Sequence, residues 1–484
     1  MKLNNPELLR SQCLINGEWC DALSGKREAV INPATGAELA SIPLVSEEET
    51  QQAIAAAQRA QNEWKQLTAK QRSALLLAWA DQVLAAQEDL AQLMTAEQGK
   101  SLAEARGEVA YAASFITWFA EEAKRVDGAV LQAPQASQRL VVVKQPIGVC
   151  AAITPWNFPA AMITRKVAPA LAAGCAIIVK PAEQTPLTAL ALAKLAQDAG
   201  IPAGVLQVVT GEAAQVGKVL CDSPVVRKLS FTGSTEVGRI LMAQCAPSIK
   251  KLSLELGGNA PVIVFDDANL DAAVAGIMAS KFRNSGQTCV CANRIYVQDG
   301  IYERLAEKLV AAVEQLKVGD GSQEGTTQGP LIDSDAVAKV QSHIDDALIK
   351  GAQIATGGQP HALGGTFFQP TVVTGVTQKM RFAKEETFGP VAPLFRFHDE
   401  AEAIAMANDT EFGLAAYLFT QNAARQWRVP EALEYGMVGI NTGLISNEVA
   451  PFGGVKQSGL GREGSRYGIE EYLELKYLCI DVSC

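Results

Sequence analysis

Two periodicities of apolar residues divide the chain into regions of different predicted structure. Across residues 47–125, apolar residues return every three or four positions among alanine, glutamine and glutamate, which predicts a run of amphipathic helices. Residues 140–154 are largely apolar and β-branched, and this composition predicts strands. The chain therefore changes from predicted helix to predicted strand within its first third.

Further along the chain, short apolar runs alternate with amphipathic segments. Residues 176–179, 187–199 and 205–209 are predicted to form a strand, a helix and a strand in that order. A second alternation begins near residues 261–265 and continues past residues 417–420. This order is typical of βαβ units with parallel sheets, so we predict an α/β fold class.

The last segment, residues 472–483, predicts an exposed strand. No later segment could pair with it, and an unpaired strand edge is a template for another chain. We therefore expect this strand to pair with another subunit, which makes the protein a homo-oligomer.

Size and charge narrow the classes of function. With 484 residues, the chain is too long for one compact core and suits two or three domains. A net charge of -10 without a basic patch argues against a nucleic-acid partner. The segment MKLNNPELLR has no apolar signal core, and residues 167–179, the longest uncharged apolar stretch, fall short of the roughly 20 residues of a membrane helix. We expect a cytoplasmic protein with no membrane partner.

The cysteines and histidines argue against two kinds of site. The cysteines are scattered from Cys13 to Cys484 without a C-x-x-C pair, so we expect free thiols and no metal. The three histidines are dispersed among polar residues and no G-x-S-x-G elbow occurs, which argues against a serine–histidine hydrolase.

Two glycine motifs resemble phosphate-binding loops but lack their context. Residues 459–464 match G-x-G-x-x-G, yet too little chain follows to complete a dinucleotide-binding unit of about 30 residues. The triplet Gly99-Lys100-Ser101 resembles the end of a phosphate loop, but Met94 stands where the first glycine of that motif belongs. We interpret the first motif as a glycine turn and the second as a loop at a helix end.

Several short segments carry residues suited to catalysis. In FTGSTEVGR, residues 231–239, a strand, a tight turn and a helix start would direct backbone N–H groups at a phosphate. Glu255 lies among apolar residues and glycines, where partial burial would raise its pKa and make it a better base. Asn157 stands between prolines in TPWNFP and could direct its amide N–H at an oxyanion. The structural alternatives are a glycine turn, a surface glutamate and a turn asparagine.

Together these segments resemble the aldehyde dehydrogenase superfamily over essentially the full length of the chain. The resemblance is carried, in order, by TPWNFP, KPAEQTP, FTGSTEVG, ELGGNAP, GQTCVCANR, EETFGPV and PFGGVKQSGLGRE. It implies an aldehyde dehydrogenase-like fold and a tetramer or dimer. The implied parts are a Rossmann-type cofactor domain (residues 1–125 and 147–257), an α/β catalytic domain (258–457), and a β oligomerisation arm with the C-terminal strand (126–146 and 458–484).

The resemblance also implies roles for individual residues. Cys289 is the implied nucleophile, Glu255 the general base, and Asn157 the side-chain half of an oxyanion hole that the backbone N–H of Cys289 completes. The implied cofactor-binding residues are Lys180 and Glu183 at the adenine ribose, Gly233 and Ser234 at the pyrophosphate, Glu386 at the nicotinamide ribose, Trp156 along the cofactor, and Pro181, Ala182, Gly238, Leu256 and Phe388.

The implied chemistry is NAD(P)-dependent oxidation of an aldehyde. The Cys289 thiolate attacks the aldehyde, hydride leaves for the nicotinamide ring, and Glu255 activates the water that hydrolyses the remaining thioester. An esterase that uses Cys289 and Glu255 without a redox step is the alternative from another class, and cofactor dependence separates the two.

Glu183 favours NAD over NADP. A carboxylate at the adenine ribose accepts hydrogen bonds from its hydroxyl groups but repels a 2′-phosphate. Two unit charges about 4 Å apart near a surface repel by roughly 4 kcal/mol, an upper bound because the side chain can swing away. Members of the succinate-semialdehyde dehydrogenase subgroup often carry a smaller residue here and use NADP, so this position departs from that pattern.

Two arginines near the catalytic groups favour an anionic substrate. Arg165 and Arg283 lie close in sequence to Asn157 and Cys289, and paired guanidinium groups bind carboxylates well. Structural ion pairs are the alternative. Both arginines resemble the succinate-semialdehyde dehydrogenase subgroup, which implies that they hold the distal carboxylate of the substrate together with Ser446. Succinate semialdehyde is the expected substrate, and glutarate semialdehyde, betaine aldehyde or another aliphatic aldehyde are alternatives.

Cys291, two positions after Cys289, is a candidate partner in a redox switch. In an extended segment their Cα atoms would lie about 6.6 Å apart, near the limit for a disulfide. Resemblance to some members of the subgroup implies a disulfide that caps Cys289, and the alternative is a bystander thiol.

Overall fold

Several of the helices begin at a residue whose side chain caps them. The computed structural model describes residues 1–483. Its α-helices are α1 Glu47–Trp64, α2 Ala69–Ala85, α3 Gln87–Gln98, α4 Leu102–Glu122, α5 Ala161–Ala173, α6 Pro186–Asp198, α7 Ala213–Asp222, α8 Thr235–Cys245, α9 Leu270–Lys281, α10 Tyr302–Val313, α11 Ser334–Ile349, α12 Glu400–Asn408, α13 Ala423–Ala432 and α14 Ser465–Glu470. Ser46, Thr68 and Ser101 each form a capping box with the glutamate or glutamine three residues on. The helices predicted across residues 47–125 are therefore confirmed.

The strands form two large sheets and two small ones. They are β1 Cys13–Ile15, β2 Glu18–Cys20, β3 Arg27–Ile31, β4 Glu38–Pro43, β5 Ala129–Leu131, β6 Gln138–Pro146, β7 Val149–Ile153, β8 Ala176–Lys180, β9 Leu206–Val208, β10 Val226–Thr232, β11 Lys251–Glu255, β12 Ala260–Val264, β13 Ala292–Gln298, β14 Gln353–Thr356, β15 Thr371–Val376, β16 Val391–Phe397, β17 Ala415–Phe419, β18 Met437–Ile440, β19 Gly459–Leu460 and β20 Leu473–Asp481. The predicted strand–helix–strand order of β8, α6 and β9 is confirmed, as is the α/β class.

The first large sheet has eight strands in the order β19-β11-β10-β7-β8-β9-β1-β2. Its five central strands, from β11 to β9, are parallel. The register pairs Thr232 with Glu255 and Ile153 with Lys180, so the carboxyl ends of four strands meet at one edge. Ligands of open parallel sheets bind outside that edge. The segments after β7, β8 and β10, and Glu255 at the end of β11, therefore share one side of the sheet.

Helices cover both faces of the first sheet because its strands alternate between two cores. Ile177 and Val179 of β8 pack with α2 to α6, whereas Ala176 and Ile178 pack with α1, α7 and α8. Residues buried on both faces explain why these strands are almost continuously apolar in sequence.

The second large sheet has seven strands in the order β14-β15-β16-β13-β12-β17-β18. Strands β12 and β13 are parallel neighbours at its centre, and the segment that carries Cys289 leads into β13. The core residues of this sheet also fall into two clusters, one on each face. The second predicted region of alternation is therefore a second α/β layer.

A small three-stranded sheet, in the order β20-β6-β5, contains the C-terminal strand. The predicted exposed strand at the end of the sequence is confirmed as β20, and it also has a partner within its own chain. β20 pairs with β6 along its whole length, from Leu473 opposite Pro146 to Asp481 opposite Gln138. Just before β20, strand β19 pairs with β11 of the first sheet and α14 packs on α4 and α5. Cys484 lies outside the described residues.

No helix within residues 1–483 is both long and apolar enough to cross a bilayer. The same residues contain no group of three or more histidine, cysteine, aspartate or glutamate side chains arranged to hold a metal ion.

Candidate active site

A cavity of about 290 Å³ lies where the carboxyl edge of the first sheet faces the loop before β13. The predicted site residues along its wall are Trp156, Asn157, Gly233, Ser234, Leu256, Cys289, Glu386 and Phe388. The cavity therefore unites residues that the sequence places more than two hundred positions apart, from 156 to 388.

Asn157 follows β7 and reaches across to the loop that carries Cys289. Its Nδ2 atom donates a hydrogen bond to the Gln287 carbonyl oxygen at 3.0 Å, which leaves the second N–H of the amide for a ligand. The backbone N–H of Cys289 donates to no backbone carbonyl of residues 1–483. Both predicted oxyanion donors therefore retain a hydrogen that can bind an oxygen.

The Cys289 thiol is half-buried in this cavity. Burial raises its pKa to about 12, the charge of Arg165 opposes that rise, and the charges of Glu386 and Glu255 add to it. The thiol is thus protonated at neutral pH, whereas the nucleophile of such a reaction is the thiolate. A proton acceptor is required before Cys289 can attack.

The loop before Cys289 has an unusual backbone. Asn284 and Ser285 both have left-handed conformations, with φ of 49° and 54°. Such residues cost about 1–3 kcal/mol each and occur mainly at functional sites. The Asn284 N–H donates to Glu104 at 2.7 Å and the Ser285 hydroxyl donates to the Gly329 carbonyl at 2.9 Å, so neighbouring elements stabilise the loop.

Glu255, the last residue of β11, is a buried carboxylate with an unsatisfied oxygen. Its side chain is almost fully enclosed, and Oε2 has no hydrogen-bond partner within residues 1–483. A Cβ atom at Gly453 would lie 2.9 Å from Oε1, so only glycine leaves room for the carboxylate there. Burial raises the pKa of Glu255 well above its ordinary value, and the negative charge of Glu463 raises it further. Glu255 is therefore a strong base when it is ionised.

Glu463, which was not among the residues predicted for the site, joins two buried cations next to Glu255. It forms ion pairs with Arg165 at 2.8 Å and with Lys166, whose ammonium also donates to Thr232 at 2.5 Å. Burial opposes the ionisation of Glu463, but the charges of Lys166 and Arg165 outweigh it and lower the pKa. The available signal was its place in PFGGVKQSGLGRE, one of the segments that carried the resemblance.

Arg165 has the structural ion pair that the sequence left as an alternative. Besides its pair with Glu463, its guanidinium stacks on the Phe452 ring at 3.9 Å, and it is almost fully buried. Its Nε atom has no hydrogen-bond partner within the described chain. The Nη2 atom, although it lies in the ion pair with Glu463, has no aligned hydrogen bond either, so Arg165 retains donors for a ligand. Contact with a substrate remains a prediction.

Of the two arginines, Arg283 is the one without an ion pair among the described residues. It is half-buried, stacks on the Phe158 ring at 4.9 Å, and forms none of the ion pairs found within residues 1–483. Its charge acts on the Cys289 thiol, as does that of Arg165, so both arginines lie near the nucleophile. Ser446 is half-buried in the loop after β18.

The predicted adenine-ribose residues follow β8. Lys180 is buried and its ammonium donates to the Glu183 carboxylate. Burial lowers the pKa of Lys180, and Glu183 opposes that change. A cavity of about 320 Å³ beside them is lined by Glu183, Glu28 and Asp333 among others, so its wall is acidic. Asp333 also lines the Cys289 cavity, which makes the two cavities neighbours.

The remaining predicted cofactor residues connect these cavities. Ser234 caps α8 by accepting from the Val237 N–H at 3.3 Å, so the α8 N-terminus opens on the groove. A Cβ atom at Gly238 would lie 2.5 Å from the end of the Leu256 side chain, so glycine lets this side chain pack closely against α8. Pro181 and Ala182 are buried after β8. A helix N-terminus with carboxylates on either side fits the pyrophosphate and riboses of a dinucleotide.

The far end of the groove contains Glu386, Trp156 and Phe388. The Gly258 N–H donates to Glu386 Oε1 at 3.2 Å, and burial raises the pKa of this glutamate to about 7. The Trp156 and Phe388 rings meet edge to face with centroids 5.6 Å apart. These groups suit a ribose and an aromatic ring.

Cys291 points to a different environment from Cys289. It is fully buried, and its Sγ donates to the Lys281 carbonyl at 3.4 Å. Both cysteines are free thiols. A disulfide between them would require this contact to break, and the switch remains a prediction.

The family model described as the aldehyde dehydrogenase family matches residues 19–478. The chain belongs to this family. Succinate-semialdehyde dehydrogenase [NADP(+)] of Escherichia coli K12 is 65% identical over 480 residues, which cover 99% of this chain and 100% of that protein. Glutarate-semialdehyde dehydrogenase of Pseudomonas putida is 64% identical over 482 residues, covering 100% of both chains.

The crystal structure of succinate-semialdehyde dehydrogenase from Burkholderia pseudomallei has a TM-score of 0.99 to this chain, at 64% identity and 100% coverage of both. The fold is therefore that of the aldehyde dehydrogenase family, and the protein is an enzyme of that family.

Proposed function

We propose that this aldehyde dehydrogenase oxidises succinate semialdehyde to succinate with a nicotinamide cofactor. The proposal rests on the position of the Cys289 thiol. This thiol shares a cavity with the free amide hydrogen of Asn157, and the positive charges of Arg165 and Arg283 act on it. An aldehyde with a distal carboxylate matches that arrangement of nucleophile, oxyanion donor and cations. Glutarate semialdehyde is one methylene longer and is the second candidate, because a relative at 64% identity carries that name.

The first half of the reaction uses Cys289 and the oxyanion donors. Glu255, whose pKa is raised by burial, is the nearby group suited to accept the Cys289 proton. The thiolate then adds to the aldehyde carbon, and the new oxyanion accepts hydrogen bonds from the Asn157 amide and the Cys289 backbone N–H. The bound nicotinamide cofactor supplies the acceptor for the hydride that leaves the thiohemiacetal carbon.

The second half of the reaction uses Glu255 on water. The acyl group on Cys289 is a thioester, which water hydrolyses when a base removes its proton. Glu255 has an unpartnered oxygen and a raised pKa, and both properties suit that step. Hydrolysis releases the carboxylate and returns Cys289 to the thiol.

Substitution of Arg283 tests the assignment of the substrate. Arg283→Leu should lower kcat/KM for succinate semialdehyde by about 10- to 100-fold, because a charge-assisted hydrogen bond contributes about 1.5–3 kcal/mol. The kcat/KM for butanal, which has no carboxylate, should change little in the same variant. Arg428→Leu, which removes an exposed arginine of α13 paired with Glu400, is the matched control.

The panel of succinate semialdehyde, glutarate semialdehyde and butanal decides the substrate class in the native enzyme. Equal kcat/KM for butanal and succinate semialdehyde would refute the role of the arginines. A higher kcat/KM for glutarate semialdehyde would reassign the substrate to the five-carbon acid.

We also propose a preference for NAD over NADP. The wall beside Lys180 is acidic, and a 2′-phosphate would meet Glu183 with Glu28 close behind it.

We expect kcat/KM to favour NAD in the native enzyme. The substitution Glu183→Ser should raise kcat/KM for NADP by up to about a thousandfold, the upper bound set by one charge repulsion. Glu431→Ser, at an exposed glutamate of α13, is the control. The E. coli relative is named as an NADP(+) enzyme, which favours the opposite preference. A native preference for NADP would overturn this proposal.

A homo-oligomer is the third part of the proposed function. Strand β20 stands at the edge of its small sheet and exposes apolar side chains, with Leu475 70% and Tyr477 57% accessible. Exposed apolar strand edges favour association, so we propose that this sheet contacts another subunit.

A further inference from the structure

Lys100, from the motif that resembled a phosphate loop, is one of the most deeply buried cations in the chain. Its side chain and that of its ion-pair partner Glu108 are 1% and 2% accessible, with Nζ and Oε2 separated by 2.5 Å. Burial lowers the pKa of Lys100, and the charge of Glu108 opposes that change. A buried ion pair is weak evidence of a stabilising role, because desolvation offsets the attraction. A role other than stabilising the fold is therefore needed to explain the contacts of Lys100 and Glu108.

Those contacts lie at both ends of the segment that carries Asn157. The Lys100 ammonium donates to the Asn157 carbonyl oxygen at 2.8 Å. Glu108 Oε1 accepts from the N–H groups of Ala160 and Ala161 at 2.9 and 3.2 Å. Helix α5 has no capping side chain of its own, so Glu108 of α4 satisfies its first N–H groups. Lys100 thus holds the backbone at the start of residues 157–161, and Glu108 holds it at the end.

The same face of α4 also holds the nucleophile loop. Glu104 accepts from the Asn284 N–H at 2.7 Å, and the Asn284 amide donates to the Asn157 carbonyl at 3.0 Å. Lys100 also lies 4.0 Å from the centre of the Phe158 ring, on which Arg283 stacks. The Asn157 carbonyl is therefore the point where α4, the nucleophile loop and the oxyanion segment meet.

We propose that Lys100, together with Glu108, is a positioning residue for the oxyanion hole. It touches neither substrate nor cofactor and acts by fixing the backbone from which the Asn157 amide projects. This inference rests on the proposed function, in which Asn157 binds the oxyanion. A donor displaced by about 1 Å costs about a hundredfold in rate, so loss of Lys100 has a chemical consequence beyond stability.

The test is a double-mutant cycle between Lys100→Met and Asn157→Ala, measured as kcat for succinate semialdehyde. We expect Lys100→Met alone to lower kcat by about 10- to 100-fold, and to lower it by less than about threefold in the Asn157→Ala background. Alkylation of Cys289 by iodoacetamide forms no oxyanion, so its rate should stay within about twofold of the native rate. The double substitution Lys100→Met with Glu108→Gln avoids an unpaired buried charge and serves if the single variant does not fold.

Lys250→Met is the matched control, because Lys250 is also buried and also donates to a backbone carbonyl, that of Ser223 at 2.8 Å, outside the site. It should lower thermal stability without lowering kcat. Equal losses of kcat in both Asn157 backgrounds, a parallel loss of Cys289 alkylation, or an unchanged kcat in Lys100→Met would each overturn the proposal. Native kcat in Asn157→Ala would overturn the oxyanion role itself, whereas a large loss there with none in Lys100→Met would overturn only the positioning role.

Discussion

Replacing Cys289 by alanine is expected to abolish aldehyde oxidation, with a loss of about 10⁴-fold or more in kcat. The physical reason is that Cys289 is the only cysteine among the residues that line the groove, and Cys291 turns its thiol to the Lys281 carbonyl. Absorbance of the reduced cofactor measures the loss. Binding of the cofactor to the variant should remain, because the groups suited to the dinucleotide come from other segments.

Cys20→Ala is the matched control for this variant. Cys20, on β2, is a free thiol of intermediate burial like Cys289, and it lies on the opposite margin of the first sheet from β11. Its removal should leave kcat unchanged. Substantial steady-state turnover in Cys289→Ala would contradict the assignment of the nucleophile.

Glu255→Gln, supplied with an exogenous base that accepts the Cys289 proton, is expected to stop the reaction after its first half. Because glutamine cannot remove a proton from water, the thioester should accumulate, and kcat should fall by about 10²- to 10⁴-fold. With an exogenous base in the assay to replace Glu255 as acceptor of the Cys289 proton, rapid mixing should reveal a burst of reduced cofactor, near one per site, followed by slow turnover. In the native enzyme the hydrolysis rate should rise with pH, since burial raises the pKa of Glu255 and its ionised form is the base. The variant should lack that rise.

The control for Glu255→Gln is Glu97→Gln. Glu97 is also fully buried, and burial raises its pKa to about 8. Unlike Glu255, it accepts hydrogen bonds from the Leu187 and Thr188 N–H groups in the first turn of α6. Its substitution should leave the burst and the steady state as in the native enzyme. Normal steady-state turnover in Glu255→Gln would remove Glu255 from the role of base.

Features set by local sequence could be predicted. The helices across residues 47–125 follow from apolar spacing and capping residues, and the parallel strands follow from runs of apolar residues. The positions of Asn157 and Glu255 at the edge of the first sheet follow from the same pattern, because each stands at or after the end of a strand. These elements depend on neighbours a few residues away.

Features set by partners distant in sequence could not be predicted. Lys166 meets Glu463 across 297 positions, and no periodicity reports such a contact. The pairing of β20 with β6 was missed for the same reason, since a strand edge does not reveal which strand covers it. Lys100 looked like part of a phosphate loop because its sequence neighbours are glycine and serine, whereas its partners are Glu108 on α4 and the Asn157 carbonyl.

Whether the substrate becomes bound to Cys289 by a thioester bond can be measured in Glu255→Gln during turnover. The variant is mixed with succinate semialdehyde, cofactor and the exogenous base that accepts the Cys289 proton, and acid quenching followed by peptide mass spectrometry then locates the acyl group. We predict a succinyl adduct on the peptide that contains Cys289, formed only when the oxidised cofactor is present. An adduct on another residue, or none while reduced cofactor is being formed, would contradict the account.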